Sequence, residues 1–303
     1  MKTDFDVIIV GGSNAGLSAG MSLGRSLRDV LIIDSGKPCN RQTPASHNFI
    51  THDGWRPAEI LEAARHEVLA YPTVSFLESR VNKASGSNND FNVTLDDQRQ
   101  FKAKKLLFAT GIKDLMPAID GFAECWGISA IHCPYCHGYE YRGQTTGVLM
   151  NGDNAADYIK LISNWTKDLT LFTNGQATIT TELKEKIWSR NINIVEKEIE
   201  GLIHEHGHIT HITFKDGSNQ PLTALYHRPA FEQHCSIPEH LGCALTEQGF
   251  IQVNELKKTT VAGVYAAGDN STPMRSVASA VAAGNFTGAM INHEMISEAE
   301  WAA

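Results

Sequence analysis

Residues 6–16 read Asp6-Val7-Ile8-Ile9-Val10-Gly11-Gly12-Ser13-Asn14-Ala15-Gly16. Asp6–Val10 is a short apolar run, the pattern of a strand buried on both faces in a parallel sheet. The glycines that follow permit a tight turn. From Ala15 to Leu27 the apolar residues Leu17, Met21, Leu23 and Leu27 recur at helical spacing. Val30–Asp34 is a second buried strand, ending on an acid. Strand, turn, helix and strand make a βαβ unit. Gly11 suits the turn and Gly16 lets helix and strand pack closely. The free N–H groups at Asn14, Ala15 and Gly16 then face an anion such as a pyrophosphate, aided by the helix dipole. Asp34 lies 23 residues after Gly11, the place of a ribose-binding acid. Ser13 replaces the middle glycine of GxGxxG, and its small side chain still allows close backbone approach.

Working outward, residues 35–54 read as a loop rich in Pro, Asn, Ser and His, and 57–69 as a helix with Ile60, Leu61, Ala64 and Val68 on one side. Short strands are expected over 74–95 with a polar break at 85–90, and a buried strand over 105–110. A second βαβ-like segment starts near Thr146: a strand over 147–150, a helix over 155–165 and a strand over 169–173. A helix over 182–189, a strand over 192–195 and a hairpin over 202–214 follow. The tail brings a strand into Gly268-Asp269 and a helix of small residues over 277–291. The expected fold class is α/β, with two Rossmann-like dinucleotide-binding domains, the second inserted into the first. The first takes residues 1–116 and 246–303, and the insert takes 117–245.

The chain has 303 residues, 42% of them hydrophobic and 20% charged, enough for two domains with ordinary cores. A net charge of −8 argues against binding along a nucleic-acid backbone. No apolar run approaches the roughly 18 residues of a membrane span. Met1-Lys2-Thr3-Asp4 runs directly into a strand without a signal-like apolar region, so a cytoplasmic protein is expected. The sequons at Asn92, Asn164 and Asn285 then carry no meaning. In a reducing compartment a structural disulfide framework is not expected. Of six cysteines only Cys133 and Cys136 have motif spacing; Cys39, Cys125, Cys235 and Cys243 read as small buried hydrophobes.

Cys133-Pro134-Tyr135-Cys136-His137 is a CxxC pair with a histidine attached. Two thiols at this spacing can close a disulfide, hold a metal or carry a haem. Haem attachment needs export. Zinc through Cys133, Cys136, His132 and His137 lacks a second CxxC pair, and no metal site is expected. A silent buried pair is the remaining structural reading beside redox function. His204, His206 and His208 alternate as on one strand face, but a turn at Gly207 scatters them.

Two further segments point the same way. Ala109-Thr110-Gly111 and Thr260-x-x-Gly263-Val-Tyr-Ala-Ala-Gly268-Asp269 resemble the FAD-binding segments of flavoproteins with two dinucleotide domains. With the CxxC in the insert, the chain resembles low-molecular-weight thioredoxin reductases over essentially its full length. That resemblance implies an FAD-dependent disulfide oxidoreductase and a homodimer. It assigns FAD to Gly11, Ser13, Asn14, Ala15, Gly16, Asp34, Ser35, Arg41, His47, Thr51, Val81, Ala109, Thr110, Gly111, Gly268 and Asp269, and to the helix start at Ser276 and Val277. It places Cys136 toward the flavin, leaves Cys133 to exchange with substrate, and gives His137 the place of the aspartate usual after the pair. A histidine there moves protons near pH 7 and, when charged, favours a thiolate. Cys-Pro-Tyr-Cys-His resembles more the family's dithiol-oxidase branch.

The sequence departs from NADPH-using relatives in the insert. Met150-Asn151-Gly152-Asp153-Asn154-Ala155 stands where they carry GxGxxA, and Thr173-Asn174-Gly175 where they carry arginines for the 2′-phosphate. A phosphate dianion there lacks a cation, so conventional NAD(P)H binding is not expected. Three electron routes then remain: oxygen, a redox protein such as a ferredoxin or flavodoxin, or unconventional nucleotide binding. The expected substrate is a small dithiol or disulfide, or a thioredoxin-like protein. The alternatives are an NADPH-dependent thioredoxin-disulfide reductase and a non-enzymatic redox sensor.

Overall fold

A computed structural model describes residues 2–299. Along the chain run β1 (Asp4–Val10), α1 (Asn14–Arg25), β2 (Val30–Asp34), α2 (Pro57–Leu69), β3 (Val74–Glu78), β4 (Val81–Ser87), β5 (Asp90–Leu95), β6 (Gln100–Phe108) and β7 (Ile112–Asp114). Then come α3 (Phe122–Cys125), β8 (Ala130–Ile131), α4 (Pro134–His137), β9 (Thr146–Leu149), α5 (Asn154–Ile162), β10 (Leu169–Phe172), α6 (Thr181–Trp188), β11 (Asn193–Val195), β12 (Ile199–Glu205), β13 (His208–Phe214), β14 (Asn219–Pro221) and β15 (Ala224–His227). β16 (Phe231–Gln233), α7 (Ile237–His240), β17 (Val264–Ala266) and α8 (Val277–Glu298) complete it.

These elements form two compact units. One takes the chain up to Arg41, Phe49–Lys113 and Phe231 onward; the other takes Gln42–Asn48 and Asp114–Ala230. The breaks expected at 116 and 246 thus fall at 114 and 231. Residues 231–245 go with the first unit because Ile237 and Cys243 are buried in its core. The short helix that carries Ile237 has too few residues to announce itself by periodicity.

In the first unit the sheet order is β3-β2-β1-β6-β5-β4, with β17 also on β6. β6 forks: Phe101–Ala103 lies antiparallel to β5, while Leu106–Phe108 lies parallel to β17. The central stretches Val7–Val10 and Val30–Ile33 are apolar throughout because both faces are covered. Ile8 and Val10 enter one core, Val7 and Ile9 the other, beneath α1. α8 lies against α1, where Gly284 is needed because a Cβ would strike the Ala15 carbonyl. Lys105, fully buried, donates to Asn88 Oδ1 at 2.6 Å and pairs with Glu294 at 3.1 Å and Glu298 at 2.7 Å, tying α8 to β6.

The second unit holds a parallel sheet of order β11-β10-β9-β15-β8 and an antiparallel sheet β12-β13-β14. Its cores lie on the two faces of the parallel sheet, one around Phe122, Trp126 and Phe172, the other around Tyr158, Ile162 and Tyr226. No helix among the described residues is long and apolar enough to cross a membrane.

Candidate functional site

Each unit contributes one constellation. In the first, the β1–α1 turn carries Gly11 at φ +105°, where a Cβ would run into the Ala109 carbonyl. A Cβ on Gly16 would overlap the Gly11 carbonyl oxygen. Only glycine lets β1, α1 and the end of β6 approach this closely. Ser13 is the N-cap of α1, and no side chain caps the first turn. The first N–H groups of a helix have no intrahelical acceptor, so Asn14, Ala15 and Gly16 present donors at a positive dipole end.

Asp34 ends β2 and closes this turn. Its Oδ1 accepts from Gly12 N–H at 2.9 Å and its Oδ2 from Gly36 N–H at 3.0 Å. Each oxygen keeps a second lone pair. Ser35 is exposed beside it. At the end of β6, Ala109 N–H donates to Val10 carbonyl at 2.8 Å, and Gly111 sits at φ +64° with open space around its Cα. Thr110 Oγ1 lies 3.4 Å from Asn270 Nδ2, which also donates to the Phe108 carbonyl at 2.9 Å. Gly268 takes φ +89° opposite Ala15. Asp269 pairs with Arg275 at 3.6 Å. Ser276 caps α8, accepting from Ser279 N–H at 3.1 Å, and Val277 opens that helix.

The remaining residues of the expected set stand differently. Val81 heads β4 with its side chain in the core. Arg41 is exposed and donates to the Pro38 carbonyl at 3.2 Å. Thr51 is exposed at φ +75°, an uncommon conformation for a β-branched residue. His47 belongs to the second unit, where its Nε2 lies 3.6 Å from Glu140 Oε1. The segment holding His47 packs close to Gly127, where a Cβ would come within 2.9 Å of Thr43 Oγ1.

In the second unit β8 delivers the chain into Cys133 at the carboxyl end of the parallel sheet, where α/β proteins place their chemistry. Cys133 is the extended N-cap of α4, and Pro134 at the first helical position presets the turn. The N–H groups of Cys136 and His137 both donate to the Cys133 carbonyl at 3.2 Å. One helical turn therefore puts Cys133 and Cys136 on one face. Their Cα atoms are 5.3 Å apart and the sulfurs are joined as a disulfide. Gly138 closes the turn through a 2.7 Å bond to the Pro134 carbonyl, and its Cβ would press to 2.9 Å on Trp165.

His137 lies in the same turn. Both ring nitrogens are buried and lack a hydrogen-bond partner among the described residues. Burial first, and the neighbouring His47 second, push this imidazole down to about 4. The ring is thus neutral near pH 7, because burial disfavours the charged form. A neutral ring is a proton acceptor.

The other cysteines divide. Cys125 and Cys243 are buried and Cys235 is half-buried, but Cys39 is exposed on the loop after β2, against expectation. Burial pushes the Cys125 thiol up to about 11, leaving it unreactive near neutrality. His204 and His208 stand on opposite strands of the β12–β13 hairpin, and His204 Nδ1 accepts from Gly207 N–H at 3.2 Å.

The β9–α5 turn of the second unit is built unlike the β1–α1 turn. Asn151 Nδ2 donates to the Gln176 carbonyl at 2.9 Å, and its Oδ1 accepts from Thr178 N–H at 2.8 Å and from Gly152 N–H at 2.9 Å. Asp153 Oδ1 accepts from Thr180 N–H at 2.9 Å. The loop after β10 is thereby tied to the helix start. Asn174 Oδ1 accepts from Ile199 N–H at 2.7 Å, and Glu196 accepts from Ala177 N–H at 3.0 Å and pairs with Lys184 at 2.8 Å. The carboxylate of Asp153 thus stands at the helix start, and the cation of this cluster, Lys184, is already paired with Glu196. Met150 and the absent arginines were readable in the sequence; these long-range ties were not.

The pyridine nucleotide-disulphide oxidoreductase family model matches residues 5–284. The chain is 31% identical to the thioredoxin reductase tcpT of Claviceps purpurea, across 97% of this chain and 95% of that protein. A solved oxidoreductase from Agrobacterium tumefaciens superposes with a TM-score of 0.91 at 35% identity, covering 99% of this chain and all of that one. A structure described as a thioredoxin reductase of Bacillus anthracis gives 0.92 at 29% identity, covering 97% and 99%.

Proposed function

We propose that this chain, which belongs to the pyridine nucleotide-disulphide oxidoreductase family as a thioredoxin reductase-like enzyme, exchanges electrons with substrate thiols at Cys133–Cys136 and does not bind NADPH in the conventional way. The observation that carries this is the β9–α5 turn, whose polar groups are tied by Asn151 and Asp153 to the loop that would otherwise receive a phosphate.

The family implies FAD, and the first unit fits it. The uncapped start of α1 and the approach enforced at Gly11 and Gly16 suit a pyrophosphate. Asp34 has lone pairs left for a ribose. Asn14, Ala15 and Gly16 would hold the phosphates, Asp269 and the N–H groups opening α8 at Val277 the opposite end of the cofactor. When bound, FAD would supply a two-electron store.

The protein's own steps balance as follows. A substrate thiolate attacks Cys133 Sγ, forming a mixed disulfide and releasing Cys136 as a thiolate. The second substrate thiol displaces Cys133, so the substrate leaves as a disulfide and the pair gains two electrons. His137, neutral while the pair is oxidised, accepts a substrate proton and passes it to the released sulfur. In the opposite direction the same groups reduce a substrate disulfide. The substrate is a thioredoxin-like protein or another dithiol or disulfide, and the electron partner is oxygen or a redox protein of the ferredoxin or flavodoxin kind.

An anaerobic titration of the bound flavin, followed by its visible absorbance, tests the reading. Bleaching by dithiothreitol, lost in Cys136→Ser, is the expected result. Rapid bleaching by micromolar NADPH would overturn the exclusion of the second turn.

A further inference from the structure

Three titratable groups gather around the turn that carries the disulfide, and the exchange step uses only one of them. His137 ends α4, one residue past Cys136. The backbone stays helical at Gly138 (φ −67°, ψ −30°) and continues in turns through Glu140. Glu140 therefore follows His137 at three-residue spacing and returns to the same side of the chain. The third group is His47, whose Nε2 lies 3.6 Å from Glu140 Oε1. Its segment, Gln42–Asn48, is the part of the N-terminal chain that belongs to the second unit. Gln42 and Thr43 press on Gly127, leaving no room there for a Cβ, and Ser46 next to His47 is buried. All three groups thus stand on one unit.

We propose that His47 and Glu140 form the exit by which a proton taken up by His137 reaches solvent. Both act through His137, and the proposal rests on Cys133–Cys136 being the exchange pair.

The stoichiometry demands an exit. A dithiol R(SH)2 and the protein disulfide give R(S–S), one cysteine thiol, one cysteine thiolate and one proton. Two electrons pass to the cysteines, and the S–S bond broken in the protein is matched by one formed in the substrate. One substrate proton stays on the pair; the other must leave. His137 is a poor place for it to rest. Both ring nitrogens are shielded from water, and no described residue accepts from them. For the same reason no hydrogen bond tethers the ring, which is free to turn between the sulfurs and His47.

Exposure rises along the three groups. The His137 nitrogens are shielded, the His47 side chain is 24% exposed and that of Glu140 37%. A proton on His47 has a carboxylate 3.6 Å away, and that carboxylate is open to water. His47 is also the neighbour whose charge acts on His137, and a charge on either ring disfavours one on the other. The two rings therefore carry the proton in turn and not together, as a relay requires. The other titratable groups that feel Glu140 are Tyr141 and Tyr226. Burial holds both phenols protonated near neutrality, so neither competes for the proton.

The test follows anaerobic flavin bleaching of the holoprotein by dithiothreitol at pH 7, with increasing imidazole as a mobile base. The unmodified protein reacts at a rate independent of imidazole. Glu140→Gln and His47→Gln each keep their flavin but react at least tenfold more slowly, and imidazole restores the rate in proportion to its concentration. Glu140→Asp, which keeps a carboxylate, recovers most of the rate without imidazole. A merely structural defect is not rescued by a mobile base. An unmodified rate in Glu140→Gln, a slow rate that imidazole leaves unchanged, or loss of flavin from His47→Gln would overturn the exit. The reading beneath it fails separately: if Cys136→Ser is bleached as fast as the unmodified protein, the exchange pair falls and the exit with it.

Discussion

Replacing His137 by glutamine removes an imidazole that titrates far below its ordinary range. In the folded protein it sits at about 4, against 6.5 for an unburied histidine, mainly because both ring nitrogens are shielded from water. Between these values the unfolded chain binds a proton that the folded chain refuses. Stability of the second unit is therefore untouched by His137 above pH 6.5 and declines as pH falls from 6.5 to 4, at about 1.4 kcal/mol per pH unit. Below about 4 both states are protonated and the loss levels off at about 3 kcal/mol. Denaturant unfolding from pH 8 to 3.5 should show His137→Gln losing less stability in acid than the unmodified protein, by about that amount. His227, also held low by burial, remains in both and cancels from the difference. NMR titration of the His137 ring gives a second readout. Reduction frees a thiolate one residue away at Cys136, and an adjacent negative charge favours imidazolium, so the midpoint rises on reduction. A midpoint near 6.5 in the oxidised protein, or identical acid profiles for the two proteins, would refute the argument.

Three perturbations address other parts of the chain. Lys105→Met removes the buried cation between Glu294 and Glu298, which keep Lys258 and the Asn88 and Asn89 amides, and should cost about 1–2 kcal/mol in urea unfolding of the first unit. Gly16→Ala drives a Cβ into the Gly11 carbonyl, so the purified protein should lose its flavin absorbance, and retention of full flavin content would contradict the close approach. Asn151→Ala removes the ties to Gln176 and Thr178 and should destabilise by about 2 kcal/mol, read as faster hydrogen exchange at Gly152 and Thr178. It should not confer NADPH binding, because no cation is supplied.

Strong periodicity made most of the fold legible. Val30–Asp34 and Pro57–Leu69 fall where expected, since a buried parallel strand and a capped amphipathic helix each leave a local pattern. What the pattern hid was short or distant. α4 is four residues long, and no window of hydrophobicity detects one turn; the sequence marks its cysteines but not the helix. The hydrogen bonds of Asn270 to the end of β6 join residues 162 positions apart. His47 lies between segments of the first unit in sequence, yet its interactions with Glu140 and His137 belong to the second. A loop without periodicity gives no sign of which core it will join.

The same strand arrangement, used twice, leads to opposite outcomes at its first turn. β1 and β9 each lie beside the strand after their own helix, β2 and β10, in parallel register, and each feeds a helix at its carboxyl end. At the first turn the backbone is pulled inward by Gly11 and Gly16, and its one acid is engaged with backbone N–H groups. At the second, Met150 replaces the glycine, and Asn151 and Asp153 spend their polar groups on a loop 25 to 27 residues away. A donor committed within the chain is not available to a phosphate, and a carboxylate at the helix start repels one. Met150, Asn151 and Asp153 thus give the second turn of an otherwise repeated unit a chemistry unlike that of the first.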